Sequence, residues 1–144
     1  MKHHISKTLT VLLGAALLFT ACDKQNEAPY EIEDARQLRG SWWYLEAVNM
    51  PVIISLYEDG NAEYYVGPGC FGESHTSYCH WTLTDNGHQV HFTWEGQSTP
   101  SMKWELCKWT PDTLVVKERL RLEDGHYSDA ISRTYLRLSA EPAD

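Results

Sequence analysis

Apolar and polar residues alternate in short runs from Gly40 onward, and they do not recur at the spacing of a helix. Turn-forming residues separate the runs, and Pro111 favours one of these turns. Three other turns contain Asp-Gly or Asn-Gly, at 57–61, 84–88 and 122–126. The pattern predicts eight strands, at 41–48, 52–58, 61–67, 78–84, 88–94, 101–109, 113–122 and 130–138. It predicts one helical turn, at 33–38.

Each predicted strand has one apolar face, as Met102, Trp104 and Leu106 illustrate within a single run. Sequential hairpins of this kind make an antiparallel meander. Eight such strands are enough to close an all-β, up-and-down barrel, whose interior is either filled or holds one small ligand. A β-sandwich of two sheets is the alternative, because alternation alone does not show closure.

The N-terminal pattern is different. Residues 1–21 contain a basic start, an apolar core and small residues, which together predict a secretory signal peptide. Residues 22–35 are polar and acidic and predict a flexible tether, followed by one domain at 36–139 and a short tail at 140–144. The chain without its signal peptide has 10 basic and 20 acidic residues, which argues against nucleic-acid binding.

The stretch LLFTAC, residues 17–22, resembles the signal of bacterial lipoproteins. The resemblance implies cleavage behind Ala21 and acylation of Cys22, with fatty acids such as palmitate. Such chains hold a protein at a membrane without a spanning helix. We therefore expect a cell-envelope protein on the outer membrane, at its periplasmic or surface face. An ordinary secreted protein cut nearby is the alternative.

Four stretches in order resemble the lipocalin-like lipoproteins of Bacteroidota, which are calycin-type barrels. They are LRGSWWYLEA (38–47), ISLYEDGNAEYY (54–65), HWTLTDNGHQVHF (80–92) and KWTPDTLVVKE (108–118). The first holds the Gly-x-Trp motif, as Gly40 and Trp42. The resemblance implies that Trp42 plugs one end of the barrel and that a basic residue of the last strand, Arg133 or Arg137, covers it.

Arg133 and Tyr135 share one face of the last predicted strand. The pair resembles the Arg-x-Tyr of fatty-acid-binding proteins, which implies a carboxylate-binding site in the barrel. An outward face, or an arginine that only covers Trp42, is the alternative. Glu118 falls on the apolar face of its own strand, where a carboxylate is costly unless paired. It therefore predicts either a structural ion pair with one of these arginines or a bulge that turns it outward.

Two cysteines and two histidines lie in the longest connection and the strand after it: Cys70, His75, Cys79 and His80. Cysteine and histidine suit zinc, but no Cys-x2-Cys pair is present. Export favours oxidation, and Cys70 and Cys79 flank a loop between predicted hairpin partners. We therefore predict a Cys70–Cys79 disulfide, and the alternatives are a metal site, a disulfide that involves Cys107, or free thiols.

The motifs of common enzyme classes are missing from the sequence. Catalysis would need a convergence of carboxylates, or of His80, His88 and His91, in one cleft. We expect a non-catalytic protein without a cofactor that binds a small apolar or amphipathic ligand in or at the mouth of its barrel. The alternative is a filled barrel that contacts a protein or envelope component through its loops.

Overall fold

The computed structural model describes residues 30–139. The predicted signal peptide, Cys22 and the tail at 140–144 lie outside the described residues. Within the described part of the chain, no helix has the length and apolar character needed to cross a membrane.

Eight antiparallel strands close into a barrel in the order of the sequence, from β1 to β8. They are β1 (Gly40–Ala47), β2 (Met50–Leu56), β3 (Asn61–Val66), β4 (His75–Thr84), β5 (Gln89–Trp94), β6 (Met102–Trp109), β7 (Thr113–Leu120) and β8 (Ile131–Ser139). The predicted up-and-down barrel is confirmed, and the sandwich alternative is wrong. The hairpin turns and the alternation located every strand to within three residues of its observed bounds.

The seam between the first and last strands is short. In the described residues, β1 and β8 pair only at Ser41–Ser139, Trp42–Arg137 and Trp43–Leu136. On its other side, β1 forms seven pairs with β2. The second half of β1 and the first half of β8 are therefore not paired with each other in the described residues.

The chain enters the barrel at its closed end, where a 3-10 turn (Ala35–Leu38) lies across the interior. Asp34 caps this turn, and Leu38 is fully buried. Further upstream, Ile32 is buried and its N–H donates to the Gly87 carbonyl at 2.8 Å. Gly87 has a positive φ of 89°, and a side chain there would clash with the Ile32 carbonyl. Packing therefore begins before the predicted domain start at residue 36.

The opposite end, called here the loop end, carries the connections 67–74, 95–101 and 121–130. The seventh strand was predicted to run to residue 122, with Leu120 and Leu122 on its apolar face. Both are instead exposed, because β7 ends at Leu120 as the chain leaves the barrel.

Aromatic and aliphatic side chains fill the interior. Trp42, Trp81 and Trp104 are buried, and Trp94 packs against the core from a half-buried position. A bulge between Leu106 and Lys108 shifts the alternation of β6 by one residue. The shift brings Trp109 against the core. The largest other fully buried residues are Tyr135, Phe92, Leu38, Ile54, Leu56, Met102, Leu106, Leu114, Val52 and Val90.

Candidate functional site: a buried carboxylate at the loop end

The Glu118 carboxylate lies inside the barrel and is the centre of a polar cluster. Its side chain is only 3% exposed. Oε1 accepts hydrogen bonds from Trp104 Nε1 at 3.0 Å and from the Tyr135 hydroxyl at 2.7 Å. Oε2 accepts from Arg133 Nε at 2.7 Å. Burying a carboxylate lowers the free energy of unfolding by roughly several kcal/mol unless the carboxylate is paired and hydrogen-bonded. Three donors, one of them cationic, meet that requirement.

The strand register brings these groups together. Trp104 on β6 is the direct partner of Glu118 on β7. On the other side, Arg133 pairs with Val116, and so lies diagonally next to Glu118. Diagonal neighbours on one face of a sheet are within reach of long side chains. Inward alternation on three adjacent strands is therefore sufficient to place the carboxylate among its donors.

The outer side of Arg133 faces the loop end. Its Nη1 donates to Glu46 Oε2 at 3.3 Å, and its guanidinium lies 4.6 Å from the centre of the Tyr44 ring. The Arg133 side chain is 20% exposed and that of Glu46 is 42% exposed. An ion pair this accessible to water contributes little to stability. Glu118 is consequently the stronger partner of the arginine.

Stacked rings occupy the space that a ligand would use. The Tyr135 ring lies 5.0 Å from Trp104 and 5.1 Å from Tyr44, and Phe92 lies 4.6 Å from Trp104. Burial, reinforced by the charge of Glu118, raises the pKa of Tyr135 well above its usual value. Burial likewise raises the pKa of Tyr64 to about 12. Tyr135 therefore remains a neutral donor across the accessible pH range.

The predicted pair Arg133 and Tyr135 thus faces the interior, but Glu118 accepts hydrogen bonds from both. The arrangement matches the structural ion pair expected as one alternative for Glu118. The sequence reasoning missed two participants, Glu46 and the indole N–H of Trp104. The even-numbered positions of β1 gave a signal for Glu46, since it shares their inward face with Trp42 and Tyr44. Sequence gave no signal for the indole, because the same burial pattern is typical of core tryptophans.

At the closed end, Trp42 is fully buried and its Nε1 donates to the Leu38 carbonyl at 2.8 Å. The Arg137 guanidinium lies 3.9 Å from the centre of the Trp42 ring. Of the two arginines proposed to cover Trp42, the structure places Arg137 there. Gly40, the glycine of the same motif, has a φ of 113°, a conformation that favours glycine.

Arg137 is held at the closed end by main-chain carbonyls. Its Nε donates to the Pro111 carbonyl at 2.9 Å, and Nη2 donates to the Gln37 carbonyl at 2.9 Å. Nη1 donates to the Arg39 carbonyl. The guanidinium thereby connects the 3-10 turn, the residue that precedes β1 and the β6–β7 turn.

The predicted Cys70–Cys79 disulfide is wrong, because both residues are free thiols. Strand β4 begins at His75, three residues earlier than predicted, and Cys79 pairs with Ala62 near the end of the β3–β4 ladder that is farther from the 67–74 connection. At about 3.3 Å per residue, Cys79 lies roughly 13 Å along the strand from the loop that holds Cys70. Burial raises the pKa of Cys79 to about 12, so its thiol is unreactive.

The histidines do not converge. His88 lies at the closed end, with Nδ1 3.2 Å from the Tyr30 carbonyl. His80 and His91 lie on the outer faces of β4 and β5, and His91 Nε2 is 3.0 Å from Gln89 Oε1. In residues 30–139, no group of three or more His, Cys, Asp or Glu side chains is arranged to hold a metal ion.

A cleft of about 430 Å³ opens in the wall where β1 and β8 separate. Its walls are Trp43, Tyr44 and Leu45 on β1 and Ser132, Arg133, Thr134 and Leu136 on β8. The cleft is open to the outside, and Arg133, which lies in its wall, also donates a hydrogen bond to Glu118 inside the barrel.

No protein-family model matches the chain, and no curated protein matches it.

Proposed function

We propose that this protein is a non-catalytic lipoprotein, anchored in the cell envelope through Cys22. Its filled, lipocalin-like barrel acts as an interaction module that contacts a protein or envelope component through its loops. One observation carries this proposal: the Glu118 carboxylate occupies the position between Arg133 and Tyr135 that a ligand carboxylate would take. The pair is consequently satisfied without a ligand.

The packing of the interior supports the same function. Trp42, Trp104, Tyr135 and Phe92 are fully buried, and the Trp104 ring contacts those of Phe92 and Tyr135. A binding cup for a small molecule generally has a volume of about 300–1,000 Å³ lined by apolar side chains. The described clefts of that size lie on the outside of this barrel. In this proposal the partner is recognised by the outer surface, and the connections at the loop end are its longest loops.

The loops at one end make the contact in this proposal, so the test is site-specific photocrosslinking in the native host. A photoreactive residue replaces Glu73 in the 67–74 connection, and a matched one replaces Thr82, which is exposed on the outer face of β4. We expect one discrete adduct from position 73 and none from position 82. Equal adducts from both positions, or none from either, would contradict the proposal.

The cleft at the seam supports a second candidate, an amphipathic ligand bound at the loop end. Its volume of about 430 Å³ suits a small molecule, and the Arg133 guanidinium at its inner wall suits an anion. The test is titration with a fluorescent fatty acid. Saturable binding that is lost in Arg133→Met and kept in Arg119→Met, at an exposed arginine on β7, would favour this second function. An absence of saturable binding in the parent protein would exclude it.

A further inference from the structure

The outer surface of the barrel has two unlike sides. On β5, β6 and β7 six of the outward side chains are polar or charged, namely Gln89, His91, Lys103, Glu105, Lys117 and Arg119. On β2, β1 and β8 the outward side chains carry no charge: four are Ser41, Ser55, Ser132 and Thr134. Six others there are apolar, namely Pro51, Ile53, Trp43, Leu45, Leu136 and Leu138. We call this second set the seam face, because it straddles the β1–β8 seam.

The seam face is continuous across strands. Trp43 pairs with Ile53 on one side and with Leu136 on the other, so the three side chains form one transverse row. Tyr65 on β3 and Thr113 on β7 extend the row without adding charge. Leu45 is 58% exposed, Leu136 45% and Leu138 56%. Apolar side chains exposed next to one another call for an explanation that singly scattered ones do not need.

The position of the chain entry limits what can cover this face. Tyr30 lies at the closed end, where its carbonyl is 3.2 Å from His88 Nδ1, and it stands only eight positions after Cys22 in the sequence. Fully extended, eight residues reach about 28 Å. Trp43 and Leu136 lie one residue pair beyond the Trp42 plug, close to the closed end. An acyl chain on Cys22 would thus hold the seam face within reach of the bilayer.

Charge also favours a lipid surface. The chain without its signal peptide has twice as many acidic as basic residues, and a membrane-facing surface must avoid burying them. The seam face contains no ionisable side chain. Tryptophan and leucine are the side chains that interfacial surfaces use, and they enter the boundary between headgroups and acyl chains.

The size of the patch argues against a second copy of the chain as the occupant. Strands lie about 4.8 Å apart and rise about 3.3 Å per residue, so the six side chains span on the order of 200–300 Å². A stable protein interface buries about 800 Å² on each partner. A tethered protein needs no such area, because its anchor supplies a high effective concentration at the membrane.

We propose that the seam face docks on the bilayer surface, so that the barrel lies on its β2–β1–β8 side with the polar β5–β7 side turned to water. The inference rests on the proposed acylation of Cys22. It adds an orientation to that anchor: the loop end points along the membrane and not into it, and stays accessible to a partner.

The test places a fluorescent label on each side of the barrel. Leu136→Cys and Thr82→Cys are each made in a parent that carries Cys70→Ser and Cys107→Ser, and each is labelled with an environment-sensitive dye. The parent carried through the same reaction gives the background, and Cys79 is protected by its burial. The acylated, full-length chains are reconstituted in phosphatidylcholine vesicles that contain nitroxide lipids.

We expect the emission of the label at position 136 to shift to the blue on binding to vesicles. The nitroxide lipids should quench this label at least about threefold more strongly than the label at position 82, because the seam face would enter the headgroup boundary by about 5–10 Å. Leu45→Glu should remove this difference. Equal quenching at both positions would overturn the inference. A blue shift at position 136 that needs no vesicles and grows with protein concentration would also overturn it, in favour of a second copy.

The mass of the purified chain separates the two proposals. Acyl chains on Cys22 together with equal quenching mean that only the seam-face inference fails. A mass without acyl chains overturns both the anchor and the docking.

Discussion

Two arginines on one strand, at opposite ends of the barrel, have very different contacts. Arg133 and Arg137 are four residues apart on β8, so both point inward. At the loop end, Arg133 contacts the carboxylates of Glu118 and Glu46. At the closed end, Arg137 contacts a tryptophan ring and three main-chain carbonyls.

The difference appears in their proton affinities. Burial opposes the charge on Arg133, but the hydrogen bond and the charge of Glu118 outweigh it and raise the pKa of Arg133. Burial lowers the pKa of Arg137, and the charge of Asp112 offsets this effect only in part. Both remain cations. Arg137 therefore holds main-chain segments together. Arg133 instead forms a buried ion pair with Glu118, at the place where the sequence suggested a ligand site.

Removing Glu118 should have the largest effect on stability. Glu118→Ala leaves Arg133, the Tyr135 hydroxyl and the Trp104 indole without their acceptor, and breaking a buried pair in this way costs about 3–5 kcal/mol. Urea unfolding measures the loss. Glu105→Ala, at an exposed glutamate on β6, is the matched control and should change the free energy of unfolding by less than about 0.5 kcal/mol. Similar losses in the two variants would contradict the buried ion pair.

Removing the closed-end arginine should have the next largest effect. Arg137→Met retains an apolar stem over Trp42 but loses the donors to three carbonyls, and we expect a loss of about 2–3 kcal/mol in urea unfolding. Arg137→Lys should recover less than half of it, because an ammonium does not reproduce the planar fork. Arg121→Met, at an exposed position, controls for the charge. Full recovery by lysine would show that charge, and not the fork, matters at this end.

The outer carboxylate of Arg133 should matter much less. Glu46→Ala removes a partly exposed partner, and the expected loss is about 0–1 kcal/mol, decreasing further at high salt. The comparison with Glu118→Ala ranks the two partners of one arginine. If both variants lost the same stability, Glu118 would not be the main partner of Arg133.

The smallest effect should be a pH dependence confined to the closed end. The side-chain hydrogen bond from Arg36 lowers the pKa of Asp34, the cap of the turn whose carbonyl at Gln37 holds Arg137. A lowered carboxyl pKa stabilises the fold above the ordinary value of 3.8, and this contribution is lost as the pH falls through the folded value. The Trp42 indole N–H resonance should shift in that acid range.

Asp34→Asn provides the control, because asparagine caps helices as well as aspartate does but does not titrate. The acid shift of the Trp42 resonance should disappear in this variant. A shift that persists unchanged would assign the acid response to another group.

Much of the fold was predictable from local chemistry. Alternation and Asp-Gly or Asn-Gly turns determine where strands begin and end, and eight hairpin-connected strands closed as expected. The prediction of a Cys70–Cys79 disulfide was wrong because β4 begins three residues earlier than the turn signals indicated. Cys79 consequently lies within the strand and not at the edge of the loop. The bulge beside Leu106 was equally invisible, so the inward position of Trp109 was not foreseen.

The site was predictable in part. Inward alternation identified Arg133, Tyr135 and Glu118 as residues of the interior, and an ion pair was one of the expected outcomes. The choice between a ligand site and a filled site depends on which strands lie next to each other and in what register. The apolar outer side also had a signal in the sequence, since Trp42 and Trp43 in β1 occupy opposite faces, but alternation alone does not separate a core face from a docking face.

The most direct test of the account is rescue of Glu118→Ala by acetate, the fragment that this substitution removes. If Glu118 is the internal acceptor for Arg133 and Tyr135, acetate should raise the unfolding midpoint of Glu118→Ala in a concentration-dependent way, as expected for a ligand that binds only the folded state. It should leave the parent protein unchanged and act weakly on the double variant Glu118→Ala, Arg133→Met. Equal stabilisation of all three proteins by acetate, or none of Glu118→Ala, would contradict the central claim.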